Sequence, residues 1–224
     1  MEELLERGNY FSLNKLQGEE WELGIDEAGR GPVLGPMIYA AAFWPIRLHN
    51  EISKVGFTDS KQLSVIEREN YFRTIRKLDG KVMGYELKYI DPEYISNKML
   101  SKVKFNLNEI SHSAAIELIQ RVLDKGVNLR YCYLDTVGPT ESYKAKLENI
   151  FHPKYPDINF IVSEKADFIY PVVSAASICA KVTRDEKLMN WNFRENLSKV
   201  DRMFGNGYLT DYITKQWMRN HFDP

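Results

Sequence analysis

The sequence predicts an α/β protein with a mixed β-sheet, folded as a single domain over residues 1–224. Two patterns indicate this class. Short apolar runs rich in β-branched and aromatic residues come first, and strand-like and helix-like patterns then alternate toward the C-terminus. The chain is 44% apolar, which is enough for a large core at this length, and no internal repeat or low-complexity segment divides it.

The first part of the chain predicts a meander of three strands with one helix inserted. The strands are expected at residues 21–26, 36–44 and 82–90. Residues 64–78 have apolar positions at helical spacing, and Ser64 with Glu67 forms a capping box at their start. Pro45 ends the second strand, and Gly80 ends the helix.

The second part of the chain alternates helices and strands. Residues 108–125 are amphipathic, and Gly126 is well placed to end that helix. Pro171 suits the first turn of a helix over residues 172–189. Two further strands are expected at residues 130–134 and 158–162, with a proline-containing loop at residues 151–157 before the second.

The composition excludes several functional classes. There are 30 Lys and Arg residues against 31 Asp and Glu residues, a net charge of -1, so nucleic-acid binding would require a local basic patch. Cys132 and Cys179 are the only cysteines, which excludes a disulfide framework and suits a reducing compartment. Residues 1–10 carry three glutamates and do not resemble a secretory signal, and the longest charge-free stretch, residues 31–46, is too short and too broken by prolines to span a bilayer. We expect a soluble, intracellular protein with no membrane partner.

The densest chemical signal is GIDEAGRGPVLGP at residues 24–36. Asp26 and Glu27 follow an apolar run, and successive side chains of a strand point to opposite faces. We therefore expect the backbone to leave the strand at this pair if both carboxylates serve one site. A charged turn is the alternative interpretation. Dinucleotide binding is disfavoured because the glycine spacing is GxGxxxG, Pro32 follows the second glycine, and a strand rather than a helix comes next.

Asp135 and Asp167 also follow predicted strands. Side chains just beyond the carboxyl ends of strands converge in open α/β sheets, so these two residues can meet Asp26 and Glu27. A cluster of carboxylates repels itself unless a cation is present, and oxygen ligands favour Mg²⁺ or Mn²⁺ over zinc. For Asp135 and Asp167, a helix cap or a turn is an equally open interpretation.

Several basic residues are candidates for phosphate contacts. Arg30 lies in the glycine-rich segment and Lys61 in the motif DSKQL. Lys181 and Arg184 share one face of the predicted helix with Ser177. An ordinary solvated surface is the alternative interpretation for this helix face.

Five motifs resemble, in order, those of the type 2 ribonucleases H, the ribonuclease HII family. They are DEAGRGPVLGP at 26–36, DSKQL at 59–63, LDTVG at 134–138, KADFIYPVVSAASICAKVTRD at 165–185 and GNGY at 205–208. The segment KFNLN at residues 104–108 and the LDTVG form of the third-carboxylate motif are most similar to the catalytic subunit of the eukaryotic enzyme.

The resemblance implies a ribonuclease H-like fold, in which helices flank a central mixed five-stranded sheet and a helical C-terminal portion covers about residues 190–224. It also implies hydrolysis of the RNA strand of RNA/DNA hybrids and cleavage 5′ of single ribonucleotides embedded in duplex DNA. Two divalent ions, Mg²⁺ or Mn²⁺, would act in this reaction and leave 5′-phosphate and 3′-hydroxyl ends. A non-catalytic hybrid-binding subunit with the same fold is the alternative.

The resemblance also implies roles for individual residues. The family's four catalytic, metal-binding carboxylates match Asp26, Glu27, Asp135 and Asp167. Its ribose-sensing loop matches Gly29, Arg30 and Gly31, and its junction-reading tyrosine matches Tyr208. The sequence departs from the family pattern after this tyrosine, where Leu209 and Tyr212 replace prolines.

The implied partners are hybrid duplexes, ribonucleotide-containing DNA and, in a eukaryotic-type heterotrimer, accessory subunits. The implied location is the nucleus if the source is eukaryotic and the cytoplasm otherwise. Eukaryotic catalytic subunits tend to continue beyond the position of Pro224, so the sequence is either naturally short or lacks a tail.

Overall fold

One five-stranded mixed sheet organises the chain, as the sequence predicts. The computed structural model describes residue 11 and residues 13–102, 105–192 and 200–221. The strands are β1 (Trp21–Ala28), β2 (Met37–Pro45), β3 (Gly84–Ile90), β4 (Leu129–Asp135) and β5 (Asn159–Ser163), in the spatial order β3-β2-β1-β4-β5. The pairs β1–β2 and β2–β3 are antiparallel, which confirms the meander, whereas β4 and β5 run parallel to β1.

Helices flank this sheet. In chain order they are α1 (Leu13–Gly18), α2 (His49–Ser53), α3 (Val65–Leu78), α4 (Pro92–Met99), α5 (Leu107–Asp124), α6 (Thr140–Phe151), α7 (Ala166–Ile169), α8 (Pro171–Met189) and α9 (Tyr212–His221), with a short 3-10 helix at Ile46–Leu48. Among the described residues, none of these helices is long and apolar enough to cross a membrane.

The predicted helices are present with small differences at their ends. The capping box between Ser64 and Glu67 forms at the start of α3, and Gly126 follows the end of α5 with a φ of 86°. Helix α6 was not predicted, although its buried Tyr143, Leu147 and Phe151 recur every four residues. The predicted loop at residues 151–157 therefore begins where α6 ends.

Part of the predicted C-terminal helical portion is observed. Helix α9 lies within it, whereas residues 193–199 and 222–224 lie outside the described part. Residues 1–10, for which the sequence analysis expects no secretory signal, also lie outside the described part, as does Lys104 of KFNLN.

Helix α8 packs closely against the centre of the sheet, and this contact positions the candidate site. A Cβ atom on Gly24 of β1 would lie 2.4 Å from the backbone carbon of Val172, so only glycine permits this approach. The polar residues of α8, including Ser177, are consequently brought against the end of β1, where Asp26 lies.

Candidate active site

The carboxyl ends of β1, β4 and β5 meet at one edge of the sheet, because these three strands are parallel. Ile25 of β1 pairs with Leu134 of β4, so Asp26 and Asp135 follow at the same level of neighbouring strands. A cavity of about 400 Å³ opens beside them. Its lining comprises Asp26, Glu27, Ala28, Gly29, Arg30, Ser60, Lys61, Asp135, Ser177, Lys181 and Tyr208. The structure thus brings together most of the residues that the sequence singled out.

The expectation that the backbone leaves the strand at Asp26 and Glu27 is wrong. Asp26 pairs with Ala40 and Glu27 with Tyr39 across β1 and β2, and the strand continues to Ala28. Both carboxylates still line the same cavity, because they lie at the end of the strand that forms its rim. The chain leaves the strand only after Ala28, at Gly29, which has a φ of 85°.

Asp135 and Asp167 are joined through helix α7. The Oδ1 atom of Asp135 accepts a hydrogen bond from the backbone N–H of Ala166, at 3.0 Å, and thereby caps the helix that carries Asp167. The Asp167 side chain is almost fully buried, and the ammonium of Lys61 lies 3.3 Å from its Oδ2 atom. A capping role and a place in the carboxylate cluster are therefore compatible for Asp135.

Burial and mutual repulsion make this carboxylate cluster costly to ionise. Burial raises the pKa of Asp26 well above its usual range, and the charge of Glu27 raises it further. Burial, followed by the charge of Asp135, raises the pKa of Glu27 to about 7, although Arg30 acts in the opposite direction. The pKa of Asp135 is also raised, mainly by burial. A bound cation would relieve this repulsion.

The donors around the cavity suit a hard divalent cation in their chemistry, because they are carboxylate oxygens. Within the described ranges, no three His, Cys, Asp or Glu side chains converge as a ready-made metal site. Lys61 supplies a positive charge beside these carboxylates. Burial lowers the pKa of its ammonium, but the carboxylates of Asp167 and Asp26 outweigh this and the pKa is raised.

Three of the four predicted phosphate-binding residues line the cavity. The Lys61 side chain is 74% exposed, so its ammonium can meet a ligand from solvent. Lys181 is held by Asp185, with 2.8 Å between Nζ and Oδ1. Arg30 donates a hydrogen bond from Nη2 to Oδ1 of Asn108, at 2.6 Å.

The expectation that Arg184 contacts phosphate needs correction. Its side chain has no exposed surface, because it is enclosed by two loops and by α8 itself. Its Nη2 donates to the carbonyl oxygen of Leu34 at 3.1 Å, its Nη1 lies 3.4 Å from Oδ1 of Asp185, and its guanidinium lies over the ring of Tyr208. Arg184 therefore braces the loops around the cavity.

The two loops that Arg184 joins are also bonded to each other. The backbone N–H groups of Val33 and Leu34 donate to the carbonyl oxygen of Gly207, at 2.9 and 3.2 Å. Gly207 has a φ of 83°, and its N–H donates to Oγ1 of Thr214 at 3.0 Å. The position of Tyr208 is thus held by backbone contacts and by α9, even though Leu209 replaces a family proline.

The sequence analysis assigned no role to two residues beside the site. Tyr39 is buried opposite Glu27 in the β1–β2 pair, and the register of a predicted hairpin could have revealed it. Asn108, the last residue of KFNLN, binds Arg30 although the two are 78 residues apart along the chain. No local pattern indicates such a contact.

The mixed sheet, with its carboxylates at the edge shared by the three parallel strands, places this chain in the ribonuclease H-like class of α/β proteins. The family model described as Ribonuclease HII matches residues 23–224. The chain belongs to the ribonuclease HII family.

Two relatives of this chain agree with this assignment. The A subunit of ribonuclease H2 from Bos taurus is 46% identical over 202 residues, covering 90% of this chain and 66% of the relative. The Arabidopsis thaliana protein of the same name is 49% identical over 199 residues, covering 89% of this chain and 65% of the relative. The chain thus spans slightly less than two thirds of the length of these relatives.

Solved structures show the same fold. The ribonuclease H2 from Pyrococcus horikoshii has a TM-score of 0.73 at 28% identity, covering 90% of this chain and 87% of the neighbour. The ribonuclease HII in a PCNA complex from Archaeoglobus fulgidus has a TM-score of 0.72 at 31% identity, covering 91% and 89%.

Proposed function

We propose that this chain is the catalytic part of a metal-dependent ribonuclease. Its substrates are the RNA strand of RNA/DNA hybrids and single ribonucleotides in duplex DNA, where it cuts on the 5′ side. The observation that carries the proposal is the cavity lined by Asp26, Glu27, Asp135 and Lys61, next to the glycine-rich loop. Similarity to the A subunits of ribonuclease H2 supports the substrate class.

The carboxylates have a clear task in this proposal. Asp26, Glu27, Asp135 and Asp167 would hold two Mg²⁺ or Mn²⁺ ions, which activate water and stabilise the leaving 3′ oxygen when bound. The protein fixes these side chains in advance, since Asp26 and Glu27 belong to β1 and Asp135 is bonded to the start of α7. Lys61 limits the repulsion among them and faces solvent, where a phosphate of the substrate can meet it. The products carry 5′-phosphate and 3′-hydroxyl ends.

Ribose recognition is assigned to the glycine-rich loop. The 2′-hydroxyl, which both donates and accepts hydrogen bonds, is what distinguishes RNA from DNA. Gly31 is exposed, has a φ of 92° and faces open space where a Cβ atom would stand, so a ribose can approach its backbone. Arg30 is oriented by Asn108 beside the same cavity.

Tyr208 is the residue proposed to read the junction between RNA and DNA. It lines the cavity, and its half-buried ring rests on the Arg184 guanidinium. A ring supported on one side can stack on a sugar or a base with its other side. The glycine-rich loop and Tyr208 thus lie on one continuous wall, because Gly207 is bonded to Val33 and Leu34.

The test uses the purified chain and a labelled DNA duplex with one embedded ribonucleotide. We expect cleavage 5′ of the ribonucleotide in Mg²⁺ or Mn²⁺, none in chelator, and none of the matched all-DNA duplex. Asp135→Asn retains the oxygen that accepts from Ala166, so this variant should keep the fold and lose turnover.

A wild-type chain that binds the duplex but leaves it uncut in both metals would support the hybrid-binding alternative. Adding accessory subunits of the relatives' type would then show whether turnover depends on partners. The intracellular location stays a prediction.

A further inference from the structure

Two buried serines meet in the wall of the cavity. The Oγ atoms of Ser60 and Ser177 are 2.8 Å apart, although the residues are 117 positions apart in the chain. Ser60 is 3% exposed and Ser177 is 2% exposed. Burial of two hydroxyls is unfavourable unless each is hydrogen-bonded, so this pairing has a structural basis.

The neighbouring carboxylate sets the direction of the hydrogen bonds. Ser177 lines the same cavity as the Asp26 carboxylate, and a hydrogen bond between the two side chains acts to lower the pKa of Asp26, against the larger opposing effect of burial. An ionised carboxylate only accepts hydrogen bonds, and a hydroxyl has a single proton to donate. In the ionised form that would bind a metal, Asp26 therefore accepts from Ser177, and Ser177 in turn accepts from Ser60. The result is a directed chain from Ser60 through Ser177 to Asp26.

The segment that supplies Ser60 also presents Lys61 to the site. The carbonyl oxygen of Ser60 accepts a hydrogen bond from Nη1 of Arg68 at 2.9 Å, and Oδ1 of Asp59 accepts from the backbone N–H of Lys61 at 2.8 Å. With its backbone fixed in this way, the segment holds the Lys61 ammonium 3.3 Å from Asp167. One short loop thus contacts Asp167 through Lys61 and contacts Ser177 through Ser60.

Helix α8 holds a second carboxylate residue in a comparable manner. Ser174, one turn before Ser177, donates its hydroxyl to the backbone carbonyl of Asp167 at 2.7 Å. The hydroxyls of α8 therefore act on Asp26 through its side chain and on Asp167 through its backbone. The close approach of α8 at Gly24 makes these contacts possible.

We propose that Ser177, itself oriented by Ser60, is a positioning residue that fixes the Asp26 carboxylate for metal binding. The inference rests on the metal site of the proposed function. Partners that orient a ligand from behind typically change metal affinity or activity by about 10- to 100-fold when removed. Ser60 acts through Ser177, so its removal should have a smaller effect.

Calorimetric titration of the whole chain with Mn²⁺ in the absence of substrate tests this role without relying on activity. Ser177→Ala should weaken Mn²⁺ binding by about 10-fold or more. Ser60→Ala should weaken it several-fold in the wild type but hardly at all in the Ser177→Ala background, because the two residues act in series. Thr183→Ala removes another buried hydroxyl of α8 that does not line the cavity, so it should lower the melting temperature without changing Mn²⁺ affinity.

Wild-type affinity for Mn²⁺ in Ser177→Ala, or equal effects of Ser60→Ala in both backgrounds, would overturn the inference. Should Ser177→Ala fail to fold, unchanged Mn²⁺ affinity in Ser60→Ala would overturn it as well. A wild-type chain that binds no Mn²⁺ at all would instead refute the proposed metal site, which distinguishes the two failures.

Discussion

The guanidinium of Arg184 lies over the ring of Tyr208, with 5.0 Å between its central carbon and the ring centroid. A charged group with no exposed surface depends on such contacts, because burial removes its hydration. The same guanidinium donates a hydrogen bond to the carbonyl oxygen of Leu34, so one side chain joins the glycine-rich loop to the loop that carries Tyr208.

Replacing Arg184 should destabilise the protein substantially. Arg184→Met keeps much of the side chain's length but leaves the carbonyl of Leu34 without its donor, and we expect the free energy of unfolding to fall by about 2–4 kcal/mol. Urea denaturation measures this. Lys187→Met is the matched control, since Lys187 lies over Tyr89 in an exposed position and its contribution should stay below about 1 kcal/mol. Equal effects of the two substitutions would contradict the bracing role.

Removing the Tyr208 ring should affect one substrate more than the other. Tyr208→Ala is expected to reduce cleavage at a single embedded ribonucleotide by about 10-fold or more, the equivalent of about 1–3 kcal/mol of stacking. Cleavage within a long RNA tract should fall less, because it does not require a junction. Initial rates on the two substrates, with the melting temperature as a control, measure this. Similar small losses on both, together with a large drop in melting temperature, would show that Tyr208 only packs.

The stability of the metal-free protein should fall as the pH rises. The pKa of Glu27 is about 7 in the folded protein against an ordinary value of 4.5, so the folded state holds this proton more tightly than the unfolded chain. The retained proton stabilises the folded state. This stabilisation is fully present below about pH 4.5 and is lost as the pH rises through 7, which lowers the free energy of unfolding by up to about 3 kcal/mol. Asp26, whose pKa is also raised, acts in the same direction.

Urea denaturation in chelator at several pH values between 4.5 and 8 tests this dependence. Glu27→Gln should make it shallower, because one of the titrating groups is gone. Saturating Mn²⁺ should reverse it, since metal binding requires the deprotonated carboxylates. A metal-free wild type that becomes more stable toward higher pH would contradict the raised pKa values.

Lys61 should contribute to the salt dependence of duplex binding. Its ammonium is exposed at the cavity, and each phosphate contact that is lost should reduce the slope of log affinity against log salt by about 0.9. We expect this reduction for Lys61→Met, measured by fluorescence anisotropy in chelator. Lys154→Met is the control, because Lys154 precedes β5 and so lies toward the opposite edge of the sheet. An unchanged slope for Lys61→Met would exclude this phosphate contact.

Much of the fold could be predicted from local sequence patterns. The apolar runs located all five strands, with ends displaced by at most two residues, and capping residues located α3 and α5. Strand β1 ends two residues later than predicted, so Glu27 as well as Asp26 lies within the strand. Strand ends depend on pairing with neighbours, which local composition does not report.

The sequence by itself indicated which carboxylates can gather, because Asp26, Glu27 and Asp135 come at the ends of predicted strands. The parallel pairing of β1 with β4 then places all three beside one cavity. Only the tertiary structure decided how the surrounding residues act. Arginine is usually a surface residue, yet the loops that enclose Arg184 come from positions about 150 residues earlier and 23 residues later. The Ser60–Ser177 pair likewise joins distant segments. Burial and hydrogen bonding are properties of the packed molecule, so a side chain's partners are determined only when distant parts of the chain meet.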